Sequence, residues 1–245
     1  MKGAITLAVA GRVLRQMRRD HRSLIMLLLL PALLMTVLWW MYSEVPGGLF
    51  DRIGPALLAI FPFFVMFLVT SVTTLRERSS GTLERLLAMP MGRGDFLVGY
   101  AVAFALLAAV QSLLAVGVSV GLLGLAIDGP VWLLGVVAVA DAVLGTALGL
   151  FVSAFARTEF QAVQFMPAVV VPQILLCGLL VPRDAMPRAL EVIGDVLPLS
   201  FAVDAMQSLT VPGDTGDVWR DVAVVVAWAV VVLMLGAATL QRRTA

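Results

Sequence analysis

The sequence predicts an all-α integral membrane protein built on six membrane-crossing helices. Three observations carry that prediction. Of 245 residues, 61% are hydrophobic and only 13% are charged, against about 45–50% and about 25% in a soluble domain. Apolar runs recur over 24–42, 55–75, 96–125, 132–155, 161–180 and 222–240, each near the roughly 20 residues that a helix needs to cross the hydrocarbon core. The charges gather between those runs, because an unhydrated charge inside lipid is costly.

Residues 1–22 precede the first run and carry Arg12, Arg15, Arg18, Arg19 and Arg22, with Val9, Val13, Leu14 and Met17 at helical spacing. That pattern predicts an amphipathic helix lying in the membrane surface. A secretory leader is the rival reading, disfavoured because the arginines lie too far ahead of the apolar run and no A-x-A site follows it. The first span, 24–42, ends in Trp39, Trp40 and Tyr42. A polar turn with Glu44, Pro46-Gly47-Gly48 and Asp51 leads to the second span, 55–75, rich in Phe61, Phe63, Phe64 and Phe67. Asp95 is a candidate N-cap for the third span, 96–125, and Asp128-Gly129-Pro130 is a tight turn before the fourth, 132–155. Arg157-Thr158-Glu159 is a polar hinge before the fifth, 161–180, which Pro167 and Pro172 should break.

Segment 182–221 mixes apolar residues with acids. Leu190, Val192, Ile193, Val196 and Leu197 form one group, and Phe201, Val203, Ala205, Met206 and Leu209 another. Pro198 suits the first turn of a helix. Two half-buried short helices are expected here. The last span, 222–240, is followed by Arg242-Arg243.

Basic residues orient the spans, because cytoplasmic loops are enriched in them. Placing the N-terminus inside puts 13 of the 17 basic residues on the cytoplasmic side and ten acids on the other. An even number of spans returns the C-terminus to the same side.

Absences exclude several functions. Lys2 is the only lysine and His21 the only histidine. A phosphate-binding G-x-x-x-x-G-K-[ST] loop needs a lysine after its glycine, so ATP is not bound that way. A Ser-His-Asp triad or a multi-histidine metal site is equally unsupported, and no cofactor or metal is expected on this chain. Cys177, the only cysteine, sits in an apolar run, which excludes a disulfide and a thiolate metal site. The net charge of +1 exerts no global pull on nucleic acid. No internal repeat is visible, against inverted-repeat transporter folds.

A charged island, Arg76 to Pro90, separates the second and third spans. Ser79 and Ser80 suit an N-cap, Glu84 falls in the first turn, and Leu83, Leu86 and Leu87 form an i, i+3, i+4 stripe. Pro90 ends the helix at Met89. A helix over 79–89 is too short to be stable alone, so it needs a partner surface.

The run Arg76-Glu77-Arg78-Ser79-Ser80-Gly81-Thr82-Leu83-Glu84-Arg85-Leu86-Leu87-Ala88-Met89-Pro90 is similar to the E-R-x-x-G-T-L-E-x-L-x-x-x-P element of a known family. A second match is spread over Arg157-Thr158-Glu159, Gln164, Pro167, Pro172, Gly178, Pro182, Met186-Pro187, Leu197-Pro198-Leu199-Ser200 and Gln207. The sequence resembles the membrane subunit of type-2 ABC exporters, the group that includes daunorubicin-exporter permeases and polysaccharide and lipid exporters. Arg78 stands where the order of acid and base varies in that family.

The resemblance implies one transmembrane domain over 1–245, in the cytoplasmic membrane of a bacterium. It also implies a second permease, identical or homologous, and two copies of a separate ATP-binding subunit that carries ATP and Mg. On this resemblance, Ser80, Gly81, Thr82, Leu83, Glu84, Leu86 and Leu87 belong to a cytoplasmic coupling helix that docks on the ATPase. Residues 1–22 are then an interface helix, and 182–221 forms short re-entrant helices in the outer leaflet.

Several residues keep two readings. Glu84 pairs with an ATPase base or compensates the helix dipole, and Arg76, Glu77 and Arg78 dock or merely stop transfer. Asp141, inside the fourth span, is a neutral group bonded to Thr146 or Ser153, or a proton carrier. Gln111, Gln164 and Gln173 bond between helices or face the pathway. Gly117-x-x-x-Gly121 and Gly145-x-x-x-Gly149 permit close helix contact. Met35, Trp39, Phe61, Phe64, Phe165 and Met166 line an apolar substrate cavity or face lipid.

The leading functional expectation is export of a hydrophobic or amphipathic compound, drug-like or lipid-like, driven by a partner ATPase. Export of a polysaccharide or lipid-linked glycan, a proton-coupled secondary transporter, a membrane-embedded lipid transferase and a non-transporting scaffold are the alternatives. The transferase would want clustered intramembrane acids and histidines, and only Asp141 is present.

Overall fold

The computed structural model describes residues 3–79, 93–211, 213 and 215–239, and these form helices and turns without strands. In order they are α1 (Gly3–Arg19), α2 (His21–Tyr42), α3 (Leu49–Ser79), α4 (Arg93–Gly121), α5 (Val131–Ser153), α6 (Glu159–Leu176), a 3-10 turn (Arg183–Ala185), α7 (Arg188–Gly194), α8 (Pro198–Ser208) and α9 (Gly216–Thr239). Six of them, α2 to α6 and α9, are long and apolar enough to cross a membrane. The chain is a multi-pass membrane protein.

α5 is the centre of the bundle, packed along α3, α4 and α9. Its glycines set the spacing. A Cβ on Gly145 would lie 2.3 Å from the Phe63 carbonyl oxygen, and one on Gly149 2.6 Å from that of Phe67. α3 and α5 therefore run in the same direction with their backbones in direct contact. Between helices in lipid, such close van der Waals packing supplies the attraction that hydrophobicity cannot. Gly117 and Gly121 have the same spacing, yet neither has a neighbour within 4 Å of an added Cβ.

Helix boundaries shift from the sequence expectation for identifiable reasons. α3 begins at Leu49, so Pro55 lies inside it, and the carboxylate of Asp51 in its first turn accepts from the amide of Ala126 at 3.1 Å. α4 begins at Arg93, which puts Asp95 inside the first turn rather than at the cap. α6 runs unbroken through Pro167 and Pro172, a tolerance that membrane helices have when neighbours absorb the freed carbonyls. It stops at Leu176 rather than near 180 because Gly178 takes φ +92°, a left-handed turn.

α1 is amphipathic as expected, but Thr6, Val9, Ala10, Val13 and Met17 are buried. Val9 lies so close to Gly99 of α4 that a Cβ there would meet it at 2.7 Å. The apolar stripe expected on the membrane surface is covered by protein. In segment 182–221 the two short helices form, with Pro198 in the first turn of α8. Only α8 is buried, through Leu199, Ala202, Val203, Ala205 and Met206. α7 leaves Leu190, Val192 and Ile193 uncovered by protein, so of the two expected short helices one packs into the bundle and the other keeps its apolar residues outside it.

Candidate functional site

Ser80, Gly81, Thr82, Leu83, Glu84, Leu86 and Leu87, expected to couple to an ATPase, lie outside the described residues. The end of α3 leads up to them. Glu77, near the end of α3, is almost fully buried, and its Oε2 accepts from Arg12 Nη2 at 2.7 Å. The same Nη2 donates to the hydroxyl of the buried Tyr100 on α4 at 2.7 Å. Partial burial works against the Arg12 charge, but the Glu77 bond and the pull of Tyr100 outweigh it and hold its pKa above the usual value. Three helices are thereby joined at one guanidinium.

One residue earlier, Arg76 forks onto Glu159 at the start of α6. Its Nε donates to Oε1 at 2.9 Å and its Nη2 to Oε2 at 3.0 Å. This pair is exposed, so its geometry orients more than it stabilises. Arg76 and Glu77, left open between docking and stopping transfer, both pair with residues of this chain, Arg76 at the surface and Glu77 in the interior. Between α1 and α2, Asp20 caps the next helix by accepting from the Ser23 hydroxyl at 2.6 Å and amide at 3.2 Å. These bonds hold its carboxyl below the usual range.

The intramembrane polar residues part ways. Gln173 bonds between helices, its Oε1 accepting from the Leu199 amide at 3.4 Å while its Nε2 donates to Val169 at 3.1 Å. Gln164 is exposed on α6, and Gln111 is buried with neither amide atom partnered among the described residues. Asp141 is fully buried, and neither carboxylate oxygen has a partner among the described residues. The expected bonds to Thr146 and Ser153 do not form. Thr146 donates to the Ala142 carbonyl and Ser153 to that of Leu150, each turning back on its own helix.

The far end of the bundle holds a cavity of about 600 Å³, lined among others by Arg52, Arg183, Asp184, Asp204, Leu49 and Leu180. Arg183 pairs with Asp204 of α8 and, at 3.5 Å, with Asp195. Burial raises the Asp204 pKa, Arg183 lowers it, and nearby Asp221 raises it again; the net shift is upward. The α4–α5 turn is clasped to the end of α8, where the Leu209 carbonyl accepts from the amides of Asp128 at 3.1 Å and Gly129 at 2.9 Å. None of Met35, Trp39, Phe61, Phe64, Phe165 and Met166 lines this cavity. Met35 is fully buried, Trp39 is exposed, and the other four are partly buried against the core. Among the described residues, no group of His, Cys, Asp and Glu is placed to hold a metal ion.

The sequence profile described as ABC-2 type transporter matches residues 6–211. The chain belongs to the ABC-2 type transporter family. It is 25% identical over 211 residues to ABC transporter G family member 20 of Dictyostelium discoideum, covering 85% of this chain and 29% of that protein. Against the probable multidrug ABC transporter permease YbhS of Escherichia coli K12 the identity is 27% over 161 residues, 65% of this chain and 43% of the relative. The inner membrane transport permease YhhJ of the same strain is 30% identical over 148 residues, 59% and 39% of the two chains. The chain thus spans less than half the length of each of these relatives.

Sequence reading of this ABC-2 family member missed, among the pairings of the described residues, Arg12–Glu77–Tyr100, Arg76–Glu159 and Arg183–Asp204. Their partners stand 65, 88, 83 and 21 residues apart. Only Arg76–Glu159, at the end of one span and the start of another, left a signal in the sequence, two opposite charges bordering apolar runs.

Proposed function

We propose that this chain is the permease component of an ATP-driven exporter that moves a hydrophobic or amphipathic compound outward across the cytoplasmic membrane. A separate ATP-binding subunit, in two copies, supplies ATP and Mg, and a second permease, identical or homologous, completes the pathway. Both termini face the cytoplasm, as the excess of arginine on that side supports. The observation that carries this reading is the pair of internal clamps, Arg12–Glu77 and Arg76–Glu159, at the root of the 80–89 stretch. A helix that receives force from an ATPase needs a stiff root to pass it to the spans. Glu77 ties that root to α1 and α4, and Arg76 ties it to α6.

The test uses two substitutions in the stretch itself. Leu83→Asp places a charge where an apolar anchor should seat. A few such anchors carry most of an interface, and burying a leucine is worth roughly 1.5–3 kcal/mol, so association with the ATPase should fall about tenfold or more. Glu84→Ala should keep the complex and lose transport. Co-purification of the ATPase and efflux of a fluorescent hydrophobic substrate read the two effects. Full binding and full efflux in both variants would reduce the stretch to a charged turn.

A further inference from the structure

We infer that the cleft formed by Arg12, Arg15, Gln16 and Arg19 on α1 is a binding site for the phosphate headgroup of an anionic phospholipid. The cleft has a volume of about 390 Å³, and among the described residues those four line it. Positions 12, 15 and 19 follow helical spacing, so three guanidiniums share one side of α1. The opposite side is buried against α4, which prevents the helix from rolling to turn its arginines elsewhere.

Among the described residues the guanidiniums have few anions to pair with. Neither Arg15 nor Arg19 has a carboxylate partner among the described residues, and Arg15 Nε reaches only the Gly11 carbonyl at 3.1 Å. The carboxylate of Asp20 is taken up in capping Ser23. Arg12 is held in place through Nη2 by Glu77 and Tyr100, while its Nε is a buried donor without an acceptor among the described residues. Guanidinium forks match phosphate oxygens in pairs, and the phosphate diester of a lipid supplies such oxygens.

The neighbourhood favours a lipid over a free anion. α2 begins at His21, and its exposed Ile25, Met26 and Leu29 present a lipid-facing apolar surface within three turns of the cleft. Leu7 of α1 is also exposed. The arginines therefore stand at the border between water and hydrocarbon, where headgroups lie. A headgroup seated there would share Arg12 with Glu77, so lipid composition would reach the end of α3.

The experiment takes the purified full chain, extracted in neutral detergent and titrated with phosphatidylglycerol or phosphatidylcholine, and counts retained lipid by native mass spectrometry. Phosphatidylglycerol should be retained preferentially. Arg15→Gln and Arg19→Gln, both on exposed positions, should each weaken retention about fivefold. Arg18→Gln removes the same charge from an exposed position outside the cleft and should weaken it by less than about twofold. Arg15→Lys should retain more than Arg15→Gln, and melting midpoints should stay unchanged in all variants. Equal loss in all three Gln variants would mean diffuse attraction and overturn the site. So would displacement of the lipid by inorganic phosphate at equal concentration, or indifference to the headgroup.

Discussion

α5 and α6 are both apolar enough to cross a membrane, yet they occupy different solvents. In the most apolar stretch of α5, 72% of residues are buried inside the protein, against 17% in α6. α5 carries Gly135, Ala138, Ala142, Gly145, Ala147 and Gly149 on its buried surfaces. α6 turns Phe160, Val163, Val171 and Leu175 outward. Lipid tails and protein interiors are equally apolar, so hydropathy does not separate the two environments. Side-chain size does, because only small residues let backbones touch.

The sharpest break of that contrast is a methyl group at the α3–α5 contact. Gly145→Ala places a Cβ 2.3 Å from a main-chain oxygen of Phe63, so the helices must separate. The expected cost is about 3 kcal/mol or more, seen as lost monodisperse protein and a lower melting midpoint. Gly117→Ala enters open space and should be neutral or stabilising by up to about 1 kcal/mol, because alanine is the better helix former. If the two variants behave alike, the backbone contact does not organise the bundle.

A smaller effect separates the helices by truncation. Leu144→Ala empties a fully buried position on α5 and should cost about 2 kcal/mol, the low end for a core leucine because lipid rather than water is the reference. Leu175→Ala on the exposed side of α6 should change stability by less than about 0.5 kcal/mol. Thermal unfolding in one detergent compares them, and equal losses would place α6 in the core as well.

The smallest expected effect lies at the far end. The Asp204 carboxyl is raised by burial, so the folded chain holds its proton more tightly than the unfolded chain. Its ionised form therefore costs stability. That cost is absent below the ordinary carboxylate pKa, grows as pH rises through the window up to the raised value, and is constant above it. Asp204→Asn should flatten this part of the curve of melting midpoint against pH. An unchanged slope would show that Asp204 is not the group responsible.

Much of the fold is legible in the sequence because the bilayer imposes a length and a polarity on every span. The six runs, the amphipathic α1 and the restart at Pro198 all follow from those demands. The site is less legible. Arg12 reads as one base of an amphipathic helix and Glu77 as a charge at a span end, while Tyr100 gives no signal of its own, and only the packing of α1 on α3 and α4 makes them one cluster. Asp141 invites a partner within a few turns, but Thr146 and Ser153 bond to carbonyls of their own helix. A hydroxyl in a helix finds its own backbone first, and no spacing rule announces that choice.

By itself the sequence determined that this chain crosses a membrane six times and belongs with the ABC-2 transporters, because span length, charge placement and a contiguous motif are local properties. It also determined that no lysine-based nucleotide loop is present, a matter of composition. Only the tertiary structure decided which of two identically spaced glycine pairs is a contact. Gly145 and Gly149 meet the backbone of α3, while Gly117 and Gly121 meet nothing within 4 Å. The physical reason is that a glycine pair permits close approach without attracting anything; a second helix, placed by the rest of the bundle, must supply the surface it touches.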